Sequence, residues 1–161
     1  MTWAIAILAY VTIERLAELL LARANTRRLL AKGAREHGAR HYPLIVGLHL
    51  LWLVTLWVLA PGRGIDPFWL AMYVALQAAR IWVIATLGPS WTTRIIVHPD
   101  QPLVREGPYR FVAHPNYWVV IGEIAVLPLV FGLPWVALVF TILNAAVLAI
   151  RIREENRALG R

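Results

Sequence analysis

The sequence predicts an all-α integral membrane protein with about five transmembrane helices. The first observation is composition: 60% of the 161 residues are hydrophobic and only 16% are charged, whereas soluble domains average about half apolar and a quarter charged. The second is that the apolar residues form runs near the length of about 17–25 residues that crosses a bilayer. The third is the absence of cysteine, which excludes a disulfide scaffold and thiolate metal sites.

The first three apolar runs each predict one span, at approximately residues 3–22, 42–60 and 67–87. The first run is interrupted by Glu14, Arg15 and Glu18, and no Lys or Arg precedes it. We therefore interpret it as a retained helix rather than a cleaved signal peptide. A Pro-Gly-Arg-Gly sequence at 61–64 predicts the turn between the second and third spans.

The last apolar stretch, 117–150, is too long for one ordinary span. Gly132-Leu133-Pro134 lies near its middle and predicts a tight turn. We therefore expect two short helices, at about 115–131 and 134–152. The whole chain, 1–161, is predicted to form one membrane domain.

The distribution of basic residues predicts the orientation of these spans. With five spans, the segments 23–41, 88–113 and 151–161 share one side and hold thirteen Lys and Arg, against one on the opposite side. The positive-inside rule places the N-terminus outside and the C-terminus in the cytosol. This distribution also explains the high pI of about 10.8. The basic residues would face anionic lipid headgroups, so binding to nucleic acid is not needed to explain them.

The polar segment before the fourth span is expected to be partly extended. Residues 91–97 are rich in β-branched side chains, 98–102 resemble a turn, and Leu103-Val104 provides a possible return strand. The sequence predicts a small hairpin or an irregular loop there, at the cytosolic face of the membrane.

Ionisable residues within the spans have two interpretations. Such residues are costly in a bilayer and are functional candidates by default. Glu14 and Glu18 share a helix face with Arg15 beside them, and pairing with Arg80 is one structural solution. The second interpretation is a small transporter, which requires a continuous polar pathway. Glu14, Glu18, Arg80 and Glu123 would form it.

Two polar clusters are the candidate chemical sites. The segment 107–117 contains Gly, Pro, Tyr, His and Asn directly before a span. Pro115 suits the first turn of a helix, whose free N–H groups attract anions; interfacial aromatic anchoring is the alternative interpretation. Arg151 and Glu155 lie four residues apart on one helix face. They form either an ordinary ion pair or a site for an anionic substrate group and a hydroxyl or amine.

Taken together, these motifs resemble the isoprenylcysteine carboxyl methyltransferase family, small integral membrane enzymes that use S-adenosylmethionine. The resemblance rests on Gly107-Pro108-Tyr109-Arg110, on His114-Pro115-Asn116-Tyr117, and on Arg151 with Glu155 after a short apolar hairpin. His41-Tyr42-Pro43, His49 and Trp91 to Ile96 are similar to its short bacterial branch.

The resemblance implies the site residues. Arg151 would lie at the substrate as the catalytic residue, and no metal is expected. The family usually has Arg before His-Pro, where this chain has Ala113; Arg110 is a candidate replacement. The implied S-adenosylmethionine-binding residues are Gln101, Leu103, Val104, Tyr109, His114, Pro115, Asn116, Tyr117 and Glu155.

The resemblance implies methyl transfer to a carboxyl or hydroxyl oxygen of a lipophilic acceptor in the bilayer. An isoprenylcysteine-like carboxylate and an alkylpyrone or phenolic lipid are both candidates. The alternatives are a membrane reductase that uses a nicotinamide dinucleotide and a small non-enzymatic transporter. The sequence predicts no oligomeric state.

Overall fold

The structure, a computed structural model, describes residues 2–99, 102 and 104–160. It is mostly helical, at 77%, which confirms the predicted all-α class. The described residues form five long helices: α1 (Thr2–Ala31), α2 (Tyr42–Leu59), α3 (Pro67–Leu87), α4 (Pro115–Val130) and α5 (Pro134–Ala158). Short 3-10 helices occupy Ala39–His41, Gly88–Ser90 and Gly107–Arg110.

Three helical segments are long and apolar enough to cross a membrane: Ala39–Leu59, Pro67–Ser90 and Pro134–Ala158. They contain α2, α3 and α5. Helix α4 is apolar but has only 16 residues, and α1 carries three charges in its apolar part. Spanning by α1 and α4 therefore stays a prediction.

Two helices are longer than the sequence predicted. Helix α1 continues past residue 22 to Ala31, and α5 continues past residue 152 to Ala158. Hydropathy predicts only the part of a helix that contacts lipid. Arg, Leu and Ala have high helix propensity, so the helix can continue beyond that part into water. Helix α1 stops near Gly33, which has a φ of 93°, a conformation that glycine adopts readily.

Proline sets the start of four helices. The first turns of α2, α3, α4 and α5 each contain one, where its missing N–H costs nothing. The Asp66 carboxylate also caps α3 by accepting hydrogen bonds from the backbone N–H groups of Phe68 and Trp69. The predicted start of α4 at Pro115 and the turn before α5, where Gly132 has a φ of 65°, are confirmed.

The predicted hairpin is only half correct. Strand β2 (Ile95–Val97) forms as expected, but its antiparallel partner is β1 (Arg35–His37), from the connection between α1 and α2. Val104 lies outside any strand, and Leu103 lies outside the described residues. The predicted return strand is therefore not found at Val104, and the alternative of an irregular loop describes this residue. Local composition indicated an extended segment but carried no information about a partner far away in the sequence.

Helix α4 packs between α3 and α5 and forms the centre of the bundle. Ile124, Leu127 and Val130 are at most 1% exposed. Gly122 permits the close approach of α3, since a Cβ atom there would lie 2.7 Å from Leu76 Cδ2. The tight packing fixes the direction of α4, and with it the position of its first turn.

A network of buried charges joins α1 to α3 and α4. Arg80 Nη1 donates to Glu123 Oε2 at 2.8 Å, and Arg80 Nη2 donates to Glu18 Oε2 at 2.6 Å. Arg15 bonds both carboxylates, at 3.0 Å to Glu18 and 2.9 Å to Glu123. Gln77 also donates to Glu123. The predicted pairing of Arg80 is confirmed. Buried charges need such compensation, and here it fixes the positions of three helices.

Candidate active site

A cavity lies where the first turn of α4, the last turns of α5 and the segment 91–97 meet. It contains polar groups from three separate parts of the chain. Its lining consists of Leu87, Ser90, Trp91, Thr92, Arg94, Ile95, Ile96, Val97, Tyr109, His114, Asn116, Tyr117, Arg151, Glu155 and Leu159.

Helix α1 holds one wall of this cavity in place. The Asn25 amide donates hydrogen bonds to the carbonyls of Gly88, at 3.2 Å, and Trp91, at 2.8 Å. The Trp91 side chain is only 2% exposed and packs in a small core with Val83 and other apolar residues. The chain beyond α3 is therefore anchored before it enters β2.

The first turn of α4 presents His114 to α5. His114 precedes the helix without capping it through its side chain. Its Nε2 lies 3.1 Å from Asn156 Oδ1, and its Nδ1 lies 3.6 Å from Glu155 Oε1. The ring stacks on Tyr117, with 5.3 Å between centroids. These contacts orient His114 along the cavity wall.

Tyr117 connects the two charged residues of α5. Its hydroxyl accepts a hydrogen bond from Arg151 Nε at 2.8 Å and donates one to Glu155 Oε2. Arg151 Nη2 also donates to the Thr93 carbonyl at 2.7 Å. Within the described part of the chain, these bonds leave Arg151 Nη1 for another group. Arg151 and Glu155 are thus not simply an ion pair.

Tyr109 is a neutral hydroxyl group in this site. Burial, reinforced by the Glu155 carboxylate, raises the pKa of Tyr109 to about 12. The side chain therefore keeps its proton at neutral pH and serves as a hydrogen-bond donor. Gly107 sets the position of Tyr109, because its lack of a side chain lets the 3-10 helix pack directly on α3. A Cβ atom at Gly107 would lie 2.5 Å from Thr86 Oγ1.

The structure brings together six of the ten predicted site residues. Pro115 is buried at the start of α4, and Val104 lies in the irregular segment between β2 and the 3-10 helix Gly107–Arg110. Neither residue lines the cavity. Gln101 and Leu103 lie outside the described residues. The six that line the cavity are Tyr109, His114, Asn116, Tyr117, Arg151 and Glu155.

Arg110 does not compensate for Ala113 in this structure. Arg110 is exposed, and its guanidinium lies 5.7 Å from the centroid of the Phe111 ring. It is not among the residues that line the cavity. The predicted replacement is therefore not supported.

Sequence reasoning missed the contribution of residues 91–97 to the site. The sequence predicted an extended segment here and a resemblance to the bacterial branch, and that resemblance was the signal that could have placed the segment at the site. Most of the segment lines the cavity, together with Leu87, Ser90 and Leu159.

Two buried polar atoms point to a polar ligand. Asn116 Oδ1 and Trp91 Nε1 are buried and have no hydrogen-bond partner among the described residues, although such groups are normally paired. Both residues line the cavity beside the Glu155 carboxylate. The set suits a ligand with hydroxyl or ammonium groups and a flat ring. The described residues hold no cluster of three potential metal ligands.

A second, smaller cavity shares Arg151 and Ile95 with the first. It lies between the start of α2 and the end of α5. Its other lining residues are Gly38, His41, Tyr42, Ile45, Val147 and Glu154. Arg151 therefore borders two spaces and separates them.

These features define a helical membrane protein with a polar site at its helix ends. The model of the isoprenylcysteine carboxyl methyltransferase (ICMT) family matches residues 69–161. The chain is 38% identical to the uncharacterized protein YpbQ of Bacillus subtilis, over 95% of this chain and 94% of that protein. It is 27% identical to an uncharacterized protein of Haemophilus influenzae, over 91% and 88%. No solved structure matches. The chain belongs to the isoprenylcysteine carboxyl methyltransferase family.

Membership in this family means a membrane methyltransferase. Six residues of the family motifs line the larger cavity: Tyr109, His114, Asn116, Tyr117, Arg151 and Glu155. Neither the reductase nor the transporter interpretation receives support. The buried charges that a transporter would use are instead bonded to one another within the bundle.

Proposed function

We propose that the chain uses S-adenosylmethionine to methylate an oxygen of a lipophilic acceptor. The observation that carries this proposal is the position of Arg151 between two cavities. One cavity is lined by the family's aromatic and carboxylate groups, and the other lies between two apolar helices. Arg151 thus lies beside the space proposed for a polar donor and beside the gap between α2 and α5, from which an acceptor dissolved in the bilayer would approach.

The larger cavity fits the cofactor. Glu155 and Asn116 provide oxygen atoms for its ammonium or ribose hydroxyl groups, and Tyr109 provides a donor. Trp91 and His114 provide ring surfaces and N–H groups. When bound, S-adenosylmethionine supplies a methyl group on a positively charged sulfur. The protein's task is then to align the acceptor oxygen with that methyl group, since correct orientation supplies much of the rate enhancement.

Arg151 is the residue that would orient the acceptor. Its Nε and Nη2 are fixed by Tyr117 and Thr93, so the guanidinium is held rigid. A rigid guanidinium with a remaining N–H group binds an oxygen anion in a defined position. It would hold an acceptor carboxylate or stabilise the anion of a hydroxyl acceptor.

The proposed topology has five spans, an outer N-terminus and a cytosolic C-terminus. The excess of Lys and Arg on one side supports it. Both cavities then lie at the cytosolic face of the bacterial cytoplasmic membrane. A charged, water-soluble cofactor and an acceptor dissolved in the bilayer meet only at such a boundary.

The test is calorimetric titration of the detergent-purified protein with S-adenosylhomocysteine. We expect saturable binding, weakened at least tenfold in His114→Ala and in Glu155→Gln. Arg110→Ala is the matched control, because Arg110 is exposed and lies outside the cavity. Absence of binding to the folded, unaltered protein would overturn the cofactor assignment.

A further inference from the structure

We propose that His41 is the catalytic base that takes the proton from a hydroxyl acceptor held at Arg151. The inference rests on the proposed function and goes beyond it, because it assigns a proton acceptor and thereby favours a phenol or enol over a carboxylic acid. His41 lies outside the family motifs quoted above for cofactor binding.

The position of His41 is set by the connection into α2. Its backbone N–H donates to the Gly38 carbonyl at 3.0 Å, and it immediately precedes the helix. Its side chain lines the second cavity together with Arg151. The Nδ1 atom is buried and has no hydrogen-bond partner among the described residues. A buried nitrogen in this state costs free energy unless a ligand or water uses it.

Gly38 lies beside this nitrogen, and its backbone conformation favours glycine there. Its φ of 62° is one that other residues rarely adopt. A Cβ atom at this position would lie 3.8 Å from His41 Nδ1, 3.6 Å from Glu154 Cβ and 3.4 Å from Ile95 Cδ1. Any side chain here would therefore extend into the contacts around the second cavity.

The other titratable groups that face His41 have partners of their own. Tyr42 shares a hydrogen bond of 3.0 Å with Thr93 Oγ1. Glu154 accepts a hydrogen bond of 3.0 Å from Arg157. Arg151 is a permanent cation. His41 is thus the residue of this lining that offers an imidazole nitrogen with no hydrogen-bond partner among the described residues.

The titratable groups of the larger cavity already have partners. Both ring nitrogens of His114 lie near oxygen atoms, Nε2 at 3.1 Å from Asn156 Oδ1 and Nδ1 at 3.6 Å from Glu155 Oε1. The Tyr117 hydroxyl already donates to Glu155, which in turn accepts that bond. The raised pKa of Tyr109 keeps that residue protonated. Deprotonation of an acceptor on the other side of Arg151 requires a group in the second cavity.

The proposed step moves one proton to His41 and one methyl group to the acceptor oxygen. The acceptor O–H bond breaks, and its proton moves to the lone pair of His41 Nδ1. The oxygen forms the new bond to the methyl carbon, while the carbon–sulfur bond breaks and sulfur keeps that electron pair. The products are the methyl ether, S-adenosylhomocysteine and protonated His41, which releases its proton to water. Arg151 stabilises the oxygen anion as it forms.

A matched pair of acceptors separates this role from a structural one. Meta-pentadecylphenol must lose a proton, whereas meta-pentadecylbenzoic acid is already ionised at neutral pH. In His41→Gln we expect kcat for the phenol to fall by about 10²- to 10⁴-fold, the range for loss of a general base. The kcat for the benzoic acid should stay within about twofold.

His49→Gln and Glu154→Gln are the comparison variants. His49 lies in α2, the helix that His41 precedes. Its Nδ1 forms a hydrogen bond with the Ile45 carbonyl, and it does not line the second cavity. Equal losses on both acceptors in His41→Gln would overturn the proposal. So would a phenol-specific loss in Glu154→Gln with none in His41→Gln.

A readout without cofactor is also available. An alkylated para-nitrophenol absorbs visible light only as its phenolate. Because this phenol ionises by itself near neutral pH, the spectrum is recorded as a pH titration. We expect the dye bound to the unaltered protein to form its phenolate at lower pH than the dye bound to His41→Gln. Identical spectra would overturn the proposal. If the unaltered protein methylates neither acceptor and binds no S-adenosylhomocysteine, the proposed function fails, and this inference with it.

Discussion

The Tyr117 hydroxyl lies between Arg151 and Glu155, accepting from the first and donating to the second. Two residues that the sequence pattern placed on one helix face are therefore coupled through a third residue from another helix. The guanidinium and the carboxylate are held by one oxygen atom. A change at this atom is transmitted to both cavities, because Arg151 lines both.

Tyr117→Phe should therefore impair both substrates at once. Loss of hydrogen bonds to charged groups costs about 1.5–3 kcal/mol each, so we expect the Kd for S-adenosylhomocysteine to rise about tenfold or more and kcat to fall. Calorimetry and a methyl-transfer assay measure the two effects. Tyr10→Phe is the control, since Tyr10 is 53% exposed on α1. Unchanged affinity and kcat in Tyr117→Phe would contradict the coupling.

Arg151→Lys should separate acceptor use from cofactor binding. A lysine keeps the charge but cannot bond the Tyr117 hydroxyl and the Thr93 carbonyl with one rigid group. We expect kcat/KM for the acceptor to fall at least 100-fold, with a change of less than about fivefold in the Kd for S-adenosylhomocysteine. Arg153→Lys is the matched control, because Arg153 is exposed on the same helix. Equal effects on both parameters would argue against the assigned role.

Arg80→Gln should destabilise the bundle more than any change at the site. It leaves Glu18 and Glu123 without one of their cations, and breaking a buried ion pair costs about 3–5 kcal/mol. Thermal unfolding in detergent measures the change. Glu36→Gln breaks the partly exposed pair with Arg94 and should cost less than about 1 kcal/mol. Similar losses in the two variants would contradict the buried network.

The pKa of Tyr109 predicts how stability depends on alkaline pH. The folded value of about 12 exceeds the ordinary 10.0, so the unfolded chain loses this proton first as pH rises. The contribution to stability is present below pH 10 and is lost between about 10 and 12. The difference in phenolate absorbance between the unaltered protein and Tyr109→Phe reports the titration directly. Ionisation near pH 10 in the folded protein would refute the prediction.

The sequence predicted what depends on local composition. Hydropathy and proline placed the helices, and the spacing of Arg151 and Glu155 placed both on the face of α5 that lines the cavity. The motif around His114 and Tyr109 also identified part of that lining. The structure does not test their roles in binding, which stay predictions.

What the sequence did not predict depends on contacts between distant segments. Strand β2 pairs with β1, although Arg35 and Val97 are far apart in the chain. The wall formed by 91–97 and the burial of His41 Nδ1 both result from this arrangement. Neither follows from hydropathy or from the spacing of residues within one helix.

The pairing of β1 with β2 also sets an order for assembly of the protein in the membrane. Strand β1 is synthesised long before β2. Its backbone N–H and C=O groups therefore lack their partner strand until α2 and α3 have been made and the chain has reached Val97. Closing so long a loop is slow compared with helix formation. Arg151 and Glu155 arrive later still, on the last helix. Neither cavity can exist until nearly the whole chain has been synthesised, because residues of the last helix line both.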